Sequence, residues 1–207
     1  MPEQKEKILS LFREIQNGNK LAFNELFLMY YPKLLTFAKQ YTKNQESAEE
    51  ITSELFVKIW IKRAGLFEIL NPEVYLFIAI KNACLNLIRS EKKRSQFFHE
   101  ELHQSIALCS DDDGLKMENQ ELKKQLDLAV KALPEQRKLI FKLIKEDGLK
   151  AQEVALILNI SVRTVENQLY KAVKALAEAI SDYIGYHPQK RISKKQALSD
   201  LPLLFFL

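Results

Sequence analysis

Residues 99–103 read His99-Glu100-Glu101-Leu102-His103. On a helix that spacing sets two imidazoles on one face to hold zinc, with Glu100 as general base. Glu118 or Glu121 could supply a third ligand. The surroundings argue against hydrolysis. The motif is short, the segment around it lacks apolar periodicity, and no pattern suggests the sheet and cleft that such enzymes are built on. Solvated histidines are the simpler reading, so neither a metal nor a cofactor is expected. A glycine-rich phosphate loop is also missing from the sequence.

A second set of residues suits recognition rather than catalysis. Arg163, Thr164, Glu166, Asn167, Gln168, Lys171 and Lys174 fall at the polar positions of one helical pattern, with Ser161 just ahead of it. Arg, Asn and Gln can make paired hydrogen bonds to base edges, and Lys neutralises phosphate. A third set lies upstream. From Lys81 to Arg94 the chain carries five cations and one acid. The polar residues Lys81, Asn82, Asn86, Arg89, Lys92 and Lys93 follow the aromatics Tyr75 and Phe77. Aromatics beside cations suit single-stranded DNA, where bases stack and phosphates are neutralised.

The elements that must position these residues are helices. Val165, Leu169, Val173 and Leu176 recur at helical spacing, as do Val154, Ala155 and Leu158 before them. Between the two runs lies Leu158-Asn159-Ile160-Ser161. Asn tolerates the left-handed conformation of a sharp helix stop, and Ser161 suits the N-cap of the next helix. This is the pattern of a helix-turn-helix. Two further helices precede it, one carrying Leu122, Leu126, Ala129, Val130 and Leu133, and one begun by Pro134.

The N-terminal half reads the same way. Ile8, Leu11, Phe12 and Ile15 form one stripe, Gly18 marks a stop, and Asn19 can cap the next helix. Pro32 suggests a helix start or bend there. Ser47 can cap a helix over 47–62 whose first turn carries Glu49 and Glu50. That helix holds more apolar residues than one buried face can take. Ile51, Leu55 and Ile59 serve the core, which leaves Phe56, Val57 and Trp60, flanked by Glu50 and Glu54, as a candidate docking face. Asn71-Pro72-Glu73 starts the helix bearing Tyr75.

Composition agrees. Hydrophobic residues make up 47% of 207, enough for packed cores, and five Gly with six Pro leave few tight turns. The fold class expected is all-α: two helical domains joined by a flexible linker, the second containing the helix-turn-helix. The bounds expected are 5–94, a linker over 95–118, 119–182, and a tail over 183–207 that is basic at Lys190, Arg191, Lys194 and Lys195 and ends in LPLLFFL. The tail could dock on the protein itself or on a partner. Two cysteines, Cys84 and Cys109, are too few for a disulfide framework, and Cys84 reads as a core thiol. With no signal-peptide pattern and no membrane-length apolar run, a cytoplasmic protein is expected.

Four motifs in order resemble the extracytoplasmic-function (ECF) class of the bacterial sigma-70 family. Ser47-Ala48-Glu49-Glu50-Ile51-Thr52-Ser53-Glu54-Leu55-Phe56 and Trp60 are similar to D-A-E-D-I-x-Q-E-x-F-x-x-x-W. Tyr75–Asn82 is similar to W-L-x-x-I-A-x-N, and Leu85–Arg89 to L-D-x-x-R. Leu133-Pro134-Glu135-Gln136-Arg137 and the helix-turn-helix match the family's fourth region. Ser47, Ser53, Asn86, Lys150 and Asn159 depart from the usual residues. The resemblance implies a sigma subunit, not an enzyme. Glu50, Glu54, Phe56, Val57 and Trp60 would bind core RNA polymerase at the β′ clamp helices, with the β flap a further contact. The segment from Lys62 to Arg94 would read and melt the −10 element of promoter DNA, and the helix after Ser161 would read the −35 element. A membrane-bound anti-sigma factor is an implied partner. The rival expectation is a helix-turn-helix regulator that acts without replacing the sigma subunit.

Overall fold

The computed structural model describes residues 2–97 and 117–181, all in helices and short connections. His99, His103, Cys109 and the tail over 183–207 lie outside the described residues, as does most of the expected linker. The elements are α1 (Pro2–Gln16), α2 (Lys20–Thr42), α3 (Gln45–Ile61), a 3-10 segment (Arg63–Glu68), α4 (Pro72–Phe97), α5 (Met117–Ala132), α6 (Glu135–Lys145), α7 (Ala151–Leu158) and α8 (Val162–Ala179). No strand occurs among the described residues. Helix α4 thus runs three residues into the expected linker, and α5 begins two residues before its end.

The helices divide into two compact units. In the first, α2 packs against α1, α3 and α4, and α1 also covers the 3-10 segment. Gly18 ends α1 with φ +82°, which glycine adopts without strain, and the Asn19 N–H returns to the Glu14 carbonyl at 3.1 Å. The Asn19 side chain then caps α2 by accepting from the N–H groups of Leu21 and Ala22. Pro32 starts no helix but lies inside α2. It is exposed, as is Leu28 one turn earlier, so water can reach the carbonyl whose hydrogen bond the proline removes. The cap of α3 is Asn44 rather than Ser47, whose N–H instead donates to Asn44 Oδ1 at 3.3 Å. Both residue types cap well, and the earlier one begins the helix.

The core of this unit takes Ile8, Phe12 and Ile15 from α1, Leu26, Tyr30 and Leu34 from α2, Ile51, Leu55 and Ile59 from α3, and Leu76, Phe77 and Ile80 from α4. Each such side chain contributes about 1.5–3 kcal/mol when fully buried, so this packing outweighs the caps. Cys84 is a core thiol, and burial pushes its pKa up to about 11. Burial, with the nearby Cys84 charge as a smaller cause, pushes Tyr41 up to about 12.

In the second unit α5 and α6 both pack against α8. Leu139, Ile140, Phe141 and Leu143 of α6 are buried, as are Val165, Leu169, Ala172, Val173 and Leu176 of α8. The turn between α7 and α8 forms as its sequence predicts. Asn159 is left-handed at φ +58°, and the Ile160 N–H returns to the Ala155 carbonyl at 3.1 Å. Ser161 Oγ accepts the Thr164 N–H at 3.1 Å and caps α8. At the start of α7, Lys150 has no capping side chain. Glu153 supplies the other arm of a capping box, accepting the Lys150 N–H at 2.8 Å.

Candidate nucleic-acid and partner interfaces

Helix α8 buries one side, so its opposite side is committed to solvent. With 3.6 residues per turn, Arg163, Asn167, Tyr170, Lys171 and Lys174 share that outer side. Arg163, Lys171 and Lys174 are exposed, and Asn167 and Tyr170 are partly so. The face therefore combines a planar donor fork, an amide, a phenol and two point charges. Lys174 lies 3.7 Å from Glu178 in an exposed pair. Such pairs are worth about 0–1 kcal/mol, too little to hold the ammonium away from a phosphate.

Four other expected residues are placed differently. The hydroxyls of Ser161 and Thr164 are 2.7 Å apart and belong to the helix cap. Glu166 is exposed at the edge of the face. Gln168 turns toward α6, where Arg137 Nε donates to its Oε1 at 3.2 Å. Tyr170, by contrast, was missed by sequence reasoning. Its position seven residues beyond Arg163, two helical turns on, was the available signal.

Helix α4 carries a second outer stripe. Tyr75, Asn82, Asn86, Arg89 and Lys93 follow one another at helical spacings of seven, four, three and four, and all are exposed. The stripe is about 27 Å long at 1.5 Å per residue. Tyr75 meets Phe12 edge-on, ring centroids 6.4 Å apart. Arg89 Nη1 reaches Asn86 Oδ1 at 3.5 Å, at the limit of a hydrogen bond. Lys81 and Lys92 stand to one side of the stripe. Phe77, the second aromatic expected near DNA, is instead fully buried against Phe37, centroids 5.3 Å apart. Two residues is 200° around a helix, so Tyr75 and Phe77 cannot share a face. Just before α4, Phe67 and Leu70 are exposed apolar side chains, which helical periodicity could not flag because they lie outside any α-helix.

The third face is on α3, and here one expectation is corrected. Phe56 is 2% exposed and is core. Its ring packs on Phe27 at 4.9 Å, with Phe23 and Tyr31 just beyond 6 Å. Those three rings stand at four-residue spacing on α2 and form an aromatic row that α3 completes. Trp60 is half-buried, 5.1 Å from Phe23, with the Arg63 guanidinium 4.9 Å from its ring and Arg63 Nη1 donating to its carbonyl at 3.0 Å. The solvent-facing stripe is instead Glu50, Glu54, Val57 and Ile61, at spacings of four, three and four. Val57 is 56% exposed and Ile61 68%, while Glu54 pairs with Lys58 at 2.6 Å.

Among the described residues, no group of three or more His, Cys, Asp or Glu side chains could hold a metal ion. Nor is any described helix long and apolar enough to cross a membrane.

Comparison with known proteins bears on these three faces. Residues 26–94 match the family model for sigma-70 region 2, and residues 123–176 match that for sigma-70 region 4. The chain is 22% identical over 179 residues to the RNA polymerase sigma-H factor of Pseudomonas aeruginosa, covering 82% of this chain and 92% of that protein. It is 22% identical over 182 residues to the ECF RNA polymerase sigma-E factor of Escherichia coli K12, covering 84% of this chain and 94% of that protein. Among solved structures it is similar to the sigma factor RpoE in complex with the anti-sigma factor NepR from Bartonella quintana. That likeness has a TM-score of 0.55 and 21% identity, and covers 77% of this chain and 96% of that one.

Proposed function

The chain belongs to the sigma-70 family of RNA polymerase sigma factors, in its extracytoplasmic-function group, and from that membership we propose how its three faces divide the work. The α3 stripe of Glu50, Glu54, Val57 and Ile61, with Trp60 at its edge, docks on core RNA polymerase. An acidic and apolar face of this kind suits a partner helix pair bearing cations and aliphatic side chains. Phe56 supports that face from inside and does not touch the partner.

The α4 stripe meets the −10 element. Tyr75 offers a ring for an unstacked base, as does the exposed Phe67 upstream, while Asn82 and Asn86 offer amides and Arg89 and Lys93 neutralise the strand. The outer face of α8 enters the major groove of the −35 element, where Arg163 and Asn167 read base edges and Lys171 and Lys174 hold phosphates. On this reading residues 5–94 form the polymerase and −10 domain, 119–182 the −35 domain, 95–118 the connector, and 183–207 a tail. The chemistry of transcription belongs to the polymerase, and the place of action is the cytoplasm. An anti-sigma factor that covers the α3 stripe would hold the chain inactive.

The observation that carries this reading is that two ordered family matches fall on units that each present one continuous polar helix face. A regulator acting without replacing the sigma subunit would have no use for the first of them. Run-off transcription with purified core polymerase, the full-length chain and genomic promoter fragments tests it. Transcripts that start downstream of a shared pair of −35 and −10 elements are expected. Duplex binding by the chain alone, with neither transcript nor affinity for core polymerase, would return the reading to a conventional regulator.

A further inference from the structure

Arg137, in the first turn of α6, reaches across to α8 and donates from Nε to Oε1 of Gln168 at 3.2 Å. Both side chains are partly buried. A guanidinium has only protons to offer, so the amide atom facing it has to be the oxygen. Chemistry thus settles an orientation that shape alone leaves open, since the oxygen and nitrogen ends of an amide are nearly equal in size. The oxygen is turned into the protein toward α6, and the NH2 end points away from Arg137. On α8, Gln168 stands between Thr164 one turn before and Lys171 one turn after, along the edge of the outer face.

We propose that Arg137 is a positioning residue that makes Gln168 a donor-only contact to DNA. The proposal rests on the −35 reading of α8. A free glutamine reads adenine with both ends of its amide, accepting from N6 and donating to N7. With Oε1 drawn toward Arg137, that paired contact is lost and the NH2 group remains. Its target is a hydrogen-bond acceptor: guanine O6 or N7, adenine N7, thymine O4, or a phosphate oxygen. Gln168 therefore loses the selectivity for adenine that the paired contact gives, or clamps the strand without regard to base.

The test uses the full-length chain with core polymerase on promoter duplexes randomised through the −35 element. Gln168→Glu keeps an acceptor for Arg137 but has no N–H to offer. It should retain the parental melting temperature and weaken promoter binding about three- to tenfold, the worth of one net hydrogen bond. Arg137→Met frees the amide and should raise the preference for adenine at a single −35 position, and Arg137→Lys should restore the parental preference. If the acceptor is a phosphate, the losses fall evenly on all sequences and vanish on a duplex with one methylphosphonate in place of that phosphate. A structural role alone would lower melting temperature without either signature. The proposal is overturned if Gln168→Glu and Arg137→Met leave affinity and base preference at parental values while Arg163→Ala still alters the preference. If Arg163→Ala and Lys171→Ala are also silent, the −35 reading itself has failed and takes the proposal with it.

Discussion

Tyr30 in α2 donates a hydrogen bond to the carboxylate of Glu73 at 3.1 Å, and both side chains are buried. The two residues are 43 apart in sequence. Glu73 lies in the first turn of α4, where the helix dipole favours a negative charge, which lowers the cost of burying it. It also stands about 160° around the helix from Tyr75. Holding Glu73 inward therefore turns the stripe of Tyr75, Asn82, Asn86, Arg89 and Lys93 outward. Tyr30→Phe keeps the ring and removes the donor. It should cost about 1–3 kcal/mol in urea unfolding, and a cost near zero would show that the pair does not hold α4.

Core and surface on α3 separate in a single comparison. Phe56→Ala should cost about 3–5 kcal/mol of stability, because it opens a cavity in the aromatic row with Phe23, Phe27 and Tyr31. Val57→Gln with Ile61→Gln should stay within about 0.5 kcal/mol each and still weaken core polymerase binding by roughly tenfold. Unchanged polymerase affinity in the double variant would remove this stripe from the interface.

On α8 the two kinds of contact differ in their salt dependence. Arg163→Ala should change base preference in the −35 element by about 1–3 kcal/mol if its contact is bidentate. Lys171→Ala and Lys174→Ala should each weaken binding evenly across sequences and reduce the slope of log affinity against log salt by about 1. Titrating promoter binding at several salt concentrations reads both effects. A base preference unmoved by Arg163→Ala would exclude that residue from readout.

Alkaline pH should loosen the first unit. Burial holds the Cys84 thiol and the Tyr41 phenol in their protonated forms, at about 11 and about 12 against ordinary values of 9.0 and 10.0. The unfolded chain loses these protons first, so it binds fewer protons than the folded chain across that window. Stability is thus full below about pH 9 and falls as pH rises through 11 and then 12. Melting temperature followed from pH 8 upward should show the decline. Cys84→Ala should flatten its lower part and Tyr41→Phe its upper part, and an identical decline in both variants would place the cause elsewhere.

What was legible in the sequence was local. The left-handed Asn159, the Ser161 cap and the spacing of Val165, Leu169, Val173 and Leu176 are set by residues within a turn or two of one another, so the helix-turn-helix could be read directly. Gly18 and Asn19 mark the α1–α2 break for the same reason. Periodicity also showed that α3 carries more apolar residues than one buried face can hold. It could not show which of them are the surplus. Phe56 is core because Phe23, Phe27 and Tyr31 meet it from α2, and Gln168 faces inward because Arg137 meets it from α6. Phe77 is buried because Phe37 meets it from α2, on the side of α4 where Tyr30 also holds Glu73. Helical spacing decides which residues share a face. Which face meets another helix depends on side chains that arrive from distant parts of the chain, and only the packed structure brings those together.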